Sequence, residues 1–542
     1  MPLSFRIGVT GHRRLQHPHR VAADLTAAVD RLIEMGPGAG TTATPIELTV
    51  VSSLAEGTDR LVAWELIKRG ARLEVVLPFQ PHEYRIDFQN AASNDEFSQL
   101  LSRASHVVVL PADDTRDDNY FRAGIAVVDR SDVIITVWDG HRAHGHGGTA
   151  EIVKYARVQR KPLLWIQLQP GHHWVEERFG EDTDAAPLRI SLLSRTAFGR
   201  LDGYNRARAP TATGAGSPPF TSASVPASLQ ARFGPFVEYA KPYYTRADGL
   251  SKRNQFWHRR TSDALYPIAV IAVLLAALQV LFVATNQGRP IPASQGFAVA
   301  ESFSLALILG ILGVATLTHW HDKWLSCRYL AERVRSSVFL AAAGVGEEVH
   351  SLRSSGLIAD PSEEWLSRAF VEIWSRRPRA SVDESDTGRV QRWLAEAWID
   401  GQVVYHRHVA DRTSLWERWL GRLSLLFFLL SVAAAVFHTA ELYLWPERTA
   451  QWTFDGLLSY ASVALPTIAA GIGAFLAHRE FAQLANRSRH MVARLVEARR
   501  LLESSVTVPM VRHAAISIEQ LLRGETSDWY ALVRLHRLEV PM

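Results

Sequence analysis

Short apolar runs alternate with amphipathic stretches over the first 170 residues. The runs are FRIGVT (5–10), IELTVVSS (46–53), RLEVVLPF (72–79), SHVVVLP (105–111), DVIITVW (132–138) and PLLWIQL (162–168). They are rich in Val, Ile and Leu and only weakly alternating, as strands buried on both faces are. Helical patterns lie between them, near 18–35, 57–69, 94–104, 118–130 and 148–160. Alternation of this kind predicts an α/β domain, doubly wound around a mostly parallel sheet. A different pattern begins after residue 245. Four stretches, 264–285, 297–318, 421–440 and 456–477, are apolar almost throughout. Each is close to the roughly 20 residues that a bilayer core requires of a helix. They predict an α-helical membrane domain of four spans in two hairpins.

The domain boundaries follow from these shifts. Residues 1–170 form the α/β domain. Residues 171–245 form a connector, with the Pro/Gly/Ser/Thr-rich stretch 206–228 as a linker. Residues 246–375 form a first two-span unit, 376–388 a linker and 389–542 a second two-span unit. The two units read as copies at an offset of 159 residues. His319 maps to His478, Arg253 to Arg412, Trp257 to Trp416, Arg259 to Arg418, Arg328 to Arg487 and Arg335 to Arg494.

Charge orients the spans. Lys252, Arg253, Arg259 and Arg260 precede the first, and Lys323, Arg328, Arg333 and Arg335 follow the second. Arg407, Arg412, Arg418 and Arg422 precede the third, and Arg479, Arg487, Arg489 and Arg494 follow the fourth. The connecting loops hold only Arg289 and Arg448, the latter near Tyr443, Trp445 and Trp452, placed like an interfacial belt. Positive-inside bias then puts both termini and the α/β domain in the cytoplasm. The duplicated spans leave a transporter as an alternative class, but both hairpins share that orientation, which excludes an inverted repeat. The opening MPLSFRIGVTGHRR has no apolar stretch before a cleavage site, so no secretory signal is expected. Cys327 is the single cysteine, which excludes an internal disulfide and fits a reducing compartment. With 59 Lys and Arg against 55 Asp and Glu, the charge balance gives no sign of a nucleic-acid binder.

Ligands of open α/β sheets bind beyond the carboxyl ends of the strands. Three segments there carry unusual residues. Gly11 in GVTGHRR permits a tight turn that presents His12 and Arg13. Ser53, Glu56, Gly57, Thr58 and Asp59 lie where a strand gives way to a helix, and cluster backbone N–H groups with hydroxyls. In WDGHRAHGHGGTAEIV, Gly147 and Gly148 allow close backbone approach, and Thr149 and Glu151 open a helix. This is phosphate chemistry. The metal alternative fails on spacing: His141, His144 and His146 sit in a glycine-rich loop with no cysteine and no helical His-x3-His pair, so no metal is expected. Pro78, Tyr84, Arg85 and Asp87, between the third and fourth strands, are positioned to close over a base or ribose. Were the domain a hydrolase, Glu56, Asp59 and Glu151 would be its acid/base candidates.

Taken together, GVTGHR, SLAEGTDRLVA, VVLPF with the following EY and DF, and SDVIITVWDG with GHGGTAEIV resemble the SLOG superfamily. Its fold is Rossmann-like, and its members include cytokinin-activating phosphoribohydrolases and sensors of nucleotide or NAD-derived ligands. The resemblance spans about residues 1–170. The phosphoribohydrolase branch has Pro-Gly-Gly-x-Gly-Thr-x-x-Glu. This chain lacks the proline and places Glu151 two residues after Thr149 instead of three, about 100° around a helix. The resemblance therefore implies phosphate binding more than hydrolysis. HDKWLSCRYLAERVRSS and the closing SDWYALVRLHRLEVP resemble SLATT domains, two-span effector modules of bacterial conflict systems. Together these imply a bacterial inner-membrane protein. A nucleotide or ADP-ribose-type signal, supplied by a separately encoded enzyme, would gate membrane disruption or a pore in antiphage defence. No prosthetic group is expected. Four spans are too few for a wide channel, which implies a homo-oligomer. Polar residues within the spans usually face a partner or water. Gln279 pairs with His438 and Glu301 with Tyr460 at the same offset, making these four the pore candidates.

Overall fold

The computed structural model describes residues 1–15, 18–36, 38, 40–111, 115–141, 147–168, 173–177, 192–208, 220, 224–285, 291–346, 363–378, 382–444 and 452–535. Two compact units result, Met1–Arg208 with Glu347–Arg377, and Ala209–Gly346 with Pro378–Met542.

The first unit is built on a seven-stranded sheet. In chain order its elements are β1 (Leu3–Gly11), α1 (Pro18–Met35), β2 (Ile46–Ser52), α2 (Thr58–Lys68), β3 (Arg72–Leu77), α3 (Pro81–Tyr84), α4 (Ala91–Arg103) and β4 (Ala104–Val109). Then come α5 (Arg116–Arg130), β5 (Val133–Trp138), α6 (Thr149–Val158), β6 (Leu163–Gln167), β7 (Trp174–Glu177) and α7 (Arg195–Arg206). The strand order is β4-β3-β2-β1-β5-β6-β7, parallel except for β7, which runs antiparallel beside β6. The chain winds outward from β1 to β4, then returns to the other side of β1 for β5. Right-handed crossovers therefore place α1, α2 and α4 on one face and α5 and α6 on the other. Ile7, Val50, Val51, Val75, Ile134, Ile135 and Leu164 are fully or almost fully buried between the helical layers, which explains their uninterrupted apolar runs. Asn90 and Thr115 start α4 and α5 by accepting the Ser93 and Asp118 N–H groups.

Helices α8 (Gln230–Thr285), α9 (Pro292–Thr318) and α10 (Trp320–Ala342) belong to the second unit. The next helix, α11 (Glu364–Ser375), belongs to the first, whereas the sequence pattern places it in the first two-span unit. The reason is a buried polar lock. The Glu372 carboxylate accepts the Ser4 amide at 3.0 Å and the Ser4 hydroxyl at 2.8 Å. It also faces Arg6, 3.9 Å away on β1. Trp365, Leu366, Ala369, Phe370 and Ile373 bury the apolar stripe of α11 around that lock.

The second unit continues with α12 (Thr387–Trp393), a π-helical turn over Leu394–Asp400, α13 (Gly401–Leu444), α14 (Trp452–Arg479), α15 (Phe481–Glu503) and α16 (Val508–Leu535). Four of its helices are long and apolar enough to cross a membrane. At 1.5 Å per residue the 56 residues of α8 extend over roughly 84 Å, far more than a bilayer core of about 30 Å. Only the apolar ends of α8 and α13 therefore span, and their polar portions continue outside. Within the bundle α8 packs along α9 and α14, and α13 along α14. Gly471 lets α14 approach Val270 so closely that a β-carbon there would lie 2.3 Å from the Val270 Cγ2, a small-residue contact typical of spanning helices. Leu305, Leu309, Leu425, Phe428 and Leu429 point outward, as a lipid-facing surface requires.

The duplication is visible as two equal breaks. His319 and Glu480 adopt left-handed conformations (φ 51° and 46°), and each starts a 23-residue helix, α10 and α15. From His319 to Glu480 the offset is 161. By position of the break, the equivalent of His319 is Glu480, not His478. Counted from these breaks, Glu301 corresponds to Ser462 instead of Tyr460.

Candidate functional site

The strand order reverses between β1 and β5, and a crevice opens there beyond the carboxyl ends of the strands. Gly11 ends β1 opposite Val137 of β5, and the His12 amide donates to the Val137 carbonyl at 3.0 Å. His12 Nε2 lies 3.3 Å from both the amide and the carboxylate of Asp139. His141 approaches the same carboxylate at 3.4 Å and donates its backbone N–H to it at 3.0 Å. Partial burial pushes Asp139 up, but the His141 N–H and the two imidazoles outweigh it and hold the carboxyl below its usual range. His144 and His146 lie outside the described residues, and no metal-holding cluster of three ligands occurs among the described ones.

The loop after β2 is locked to the loop after β1. Gly57 caps α2 at φ 79°, ψ −115°, a conformation open to glycine alone. A β-carbon on it would lie 2.4 Å from the Arg13 carbonyl and 2.6 Å from that of His12. The Thr58 amide and hydroxyl both donate to the His12 carbonyl, at 3.2 and 3.0 Å. A β-carbon on Gly11 would in turn strike Thr58.

Asp59 is buried and turned into this loop. It accepts the Ser52 hydroxyl at 3.1 Å and the Ser53 amide at 3.2 Å. Burial dominates those hydrogen bonds and pushes its carboxyl up to about 6. A folded value above the ordinary 3.8 means stability that is fully present below pH 4 and lost as pH rises through 6. The loss amounts to on the order of 3 kcal/mol. The thermal midpoint of the wild type should therefore fall relative to that of D59N between pH 4 and 6.5, and the difference should stay constant above pH 7. A pH-independent difference would show that Asp59 does not titrate there.

The third segment reaches the same place through α5. Gly147 (φ 82°) lies so close to α5 that a β-carbon would approach the Asp117 carbonyl at 2.8 Å and the Phe121 amide at 3.2 Å. Between those positions stands Tyr120, whose ring lies under the Arg13 guanidinium, 4.6 Å from its centroid. Arg13 is exposed, and with Tyr120 it links the loop after β1 to the turn before α6. Glu151 folds back onto the start of its own helix, where it accepts the Gly147 N–H at 2.7 Å. Gly148 and Thr149 are half-buried beside it.

The excursion after β3 is placed differently. Tyr84 is 1% exposed, at the centre of a ring cluster with Phe79, Phe88 and Phe97, and Pro78 is buried too. Neither meets the crevice surface. Burial, together with the nearby Asp59 charge, pushes the Tyr84 hydroxyl well above its ordinary value. Arg85 bonds Ser98, and Asp87 is held by Arg116 at 2.7 Å and by the Tyr120 hydroxyl. Glu56 accepts from the Gln89 amide at 2.9 Å and from the Ser93 hydroxyl. All three acid/base candidates, Glu56, Asp59 and Glu151, thus hold backbone N–H groups. Tyr120 is the crevice side chain that the sequence pattern misses. Its only signal is its position in the first turns of the helix that follows β4.

In the spans, Gln279, Glu301, His438 and Tyr460 are all half-buried. No family model matches this chain, and no curated protein matches it either. What the fold defines is a class: a multi-pass membrane protein that carries a Rossmann-like domain with a mostly parallel sheet.

Proposed function

We propose that this chain is a membrane effector whose Rossmann-like domain senses a phosphate-bearing nucleotide or NAD-derived signal, in the manner of a SLOG sensor joined to paired SLATT units. The observation that carries this reading is the convergence of Gly11–Arg13, Ser53–Asp59 and Gly147–Glu151 at the β1/β5 switch point of a chain with four spanning helices. Binding would bias the helices of a homo-oligomer toward a membrane-disrupting or conducting arrangement. A ligand that favours neither arrangement gates nothing. The biological setting is antiphage defence at a bacterial inner membrane, with the signal made by a separate enzyme.

The test is a thermal-shift series on the purified full chain with ADP-ribose, NAD and cyclic mono- and dinucleotides. At least one should raise the midpoint by mass action, and R13Q should abolish the rise. Ligand recovered intact supports sensing. Turnover beyond stoichiometry that E151Q abolishes would replace the sensor with an N-glycosidic hydrolase.

Orientation follows from the basic flanks of the spans. With Cys327 replaced by serine, a cysteine introduced at position 290 or 450 should react with an impermeant maleimide in intact cells. Tags at residues 1 and 542 should stay protected. Labelling of either terminus from outside would reverse the topology.

A further inference from the structure

The helical unit has an open cavity of about 1040 Å³ where the polar extensions of α8 and α13 meet α10, α14, α15 and α16. That is the upper end of the range of small-molecule sites, roughly 300–1,000 Å³. Its described lining holds nine Lys and Arg side chains against four glutamates. Most of these cations are neutralised locally: Arg328 and Arg335 by Glu332, Arg333 by Glu519, Arg487 by Glu525 and Arg479 by Asp263. Two are not. Among the described residues Arg259 and Arg412, both solvent-exposed, make no ion pair, and Arg259 lies within electrostatic range of Arg479 and Arg412 as well as of Asp263. Like charges gathered around a cavity repel, and an anion between them removes that cost. Two further lining side chains are more than nine-tenths buried and hold a nitrogen with no hydrogen-bond partner among the described residues, Arg335 Nε and His406 Nδ1. Leaving such groups unmatched is costly; an anionic oxygen matches the Arg335 N–H, and His406 where its Nδ1 carries the proton. Trp416 and Phe475, beside the spans, supply an apolar wall.

We infer that this cavity is a second ligand site, separate from the crevice of the Rossmann-like domain, that binds a phosphate-bearing anion through Arg259, Arg412 and Arg335. The phosphate belongs either to the headgroup of an anionic phospholipid or to a soluble ligand, whose aromatic part would rest on Trp416 and Phe475. The inference stands whether or not the crevice senses nucleotides.

The test uses the full chain in an R13Q background, which removes the crevice's arginine, reconstituted in nanodiscs. One set contains phosphatidylcholine alone and is titrated with inorganic pyrophosphate. The other contains phosphatidylcholine with phosphatidylglycerol and receives no pyrophosphate. One of the two anions should raise the thermal midpoint saturably, with an effect that weakens with salt. R259Q/R412Q should weaken that binding at least roughly tenfold, while R259K/R412K, which keeps both charges, should retain most of it. A response confined to pyrophosphate assigns the site to a soluble ligand, and one confined to phosphatidylglycerol assigns it to the lipid. No response to either, or an equal response in R259Q/R412Q, overturns the inference.

Discussion

Replacing Glu372 with alanine is expected to destabilise the Rossmann-like unit by about 3–5 kcal/mol, the range for breaking a buried charge pair by removing one partner. Glu372 is 4% exposed and serves three groups at once. It accepts both Ser4 donors, sits 3.9 Å from the buried Arg6 guanidinium, and receives Arg376 at 3.0 Å. Without it, Ser4 loses its acceptors and Arg6 is left with Glu74, 3.2 Å away, as its nearby carboxylate. The thermal midpoint should fall on the order of 10 °C. E372Q, which keeps an acceptor for Ser4, should lose distinctly less. Equal midpoints for E372A and the wild type would mean that α11 does not hold β1 in solution.

The second large effect is expected at Gly57. Alanine there must adopt φ 79° and place its β-carbon against the carbonyl oxygens of His12 and Arg13, neither of which is a flexible side-chain end. Strain of about 1–3 kcal/mol is expected from the backbone alone. Because the clash falls on the contact between the two loops, relief must come from separating them, which displaces Arg13 from Tyr120. G57A should therefore lose ligand-induced stabilisation more completely than its own drop in midpoint accounts for. An exposed control, Gly70→Ala, is strained at φ 82° but has nothing within 4 Å of the added carbon, and it should lose stability without losing binding.

The six parallel strands and the four spans were legible in the sequence because each carries its signal locally. A strand buried on both faces is apolar at most positions, and a span must be apolar over nearly its whole length. Strand β7 was not legible. Its WVEE is short, lies at the sheet edge beside β6 and carries no apolar run. The segment of α11 was placed in the first two-span unit and not in the sheet domain, because its own sequence does not say which surface it covers. That is decided by Glu372 finding Ser4 and Arg6, more than 360 residues away in sequence. The duplication was legible, but its register was not. Histidines at 319 and 478 suggested one constant offset, whereas the left-handed breaks fall at His319 and Glu480.

At the crevice, Gly147 was read as a point of close backbone approach, and the structure places both it and Gly57, at positive φ, where backbone meets backbone. Tyr84 and Pro78 looked like a lid because an excursion between strands is usually exposed. The ring cluster of Phe79, Phe88 and Phe97 instead draws Tyr84 inward. Tyr120 could not be read at all, since its role depends on Gly147 docking against α5 and Arg13 lying over its ring.

A ligand in the crevice is expected to change the state of the membrane helices. The most direct test is dye release from liposomes containing the purified full chain, with each nucleotide that raises the thermal midpoint added in turn. Release should begin at ligand concentrations matching the thermal shift and disappear in R13Q and G57A. A ligand that stabilises the protein through Arg13 yet leaves the liposomes intact, or release that is identical with and without ligand, would contradict that expectation.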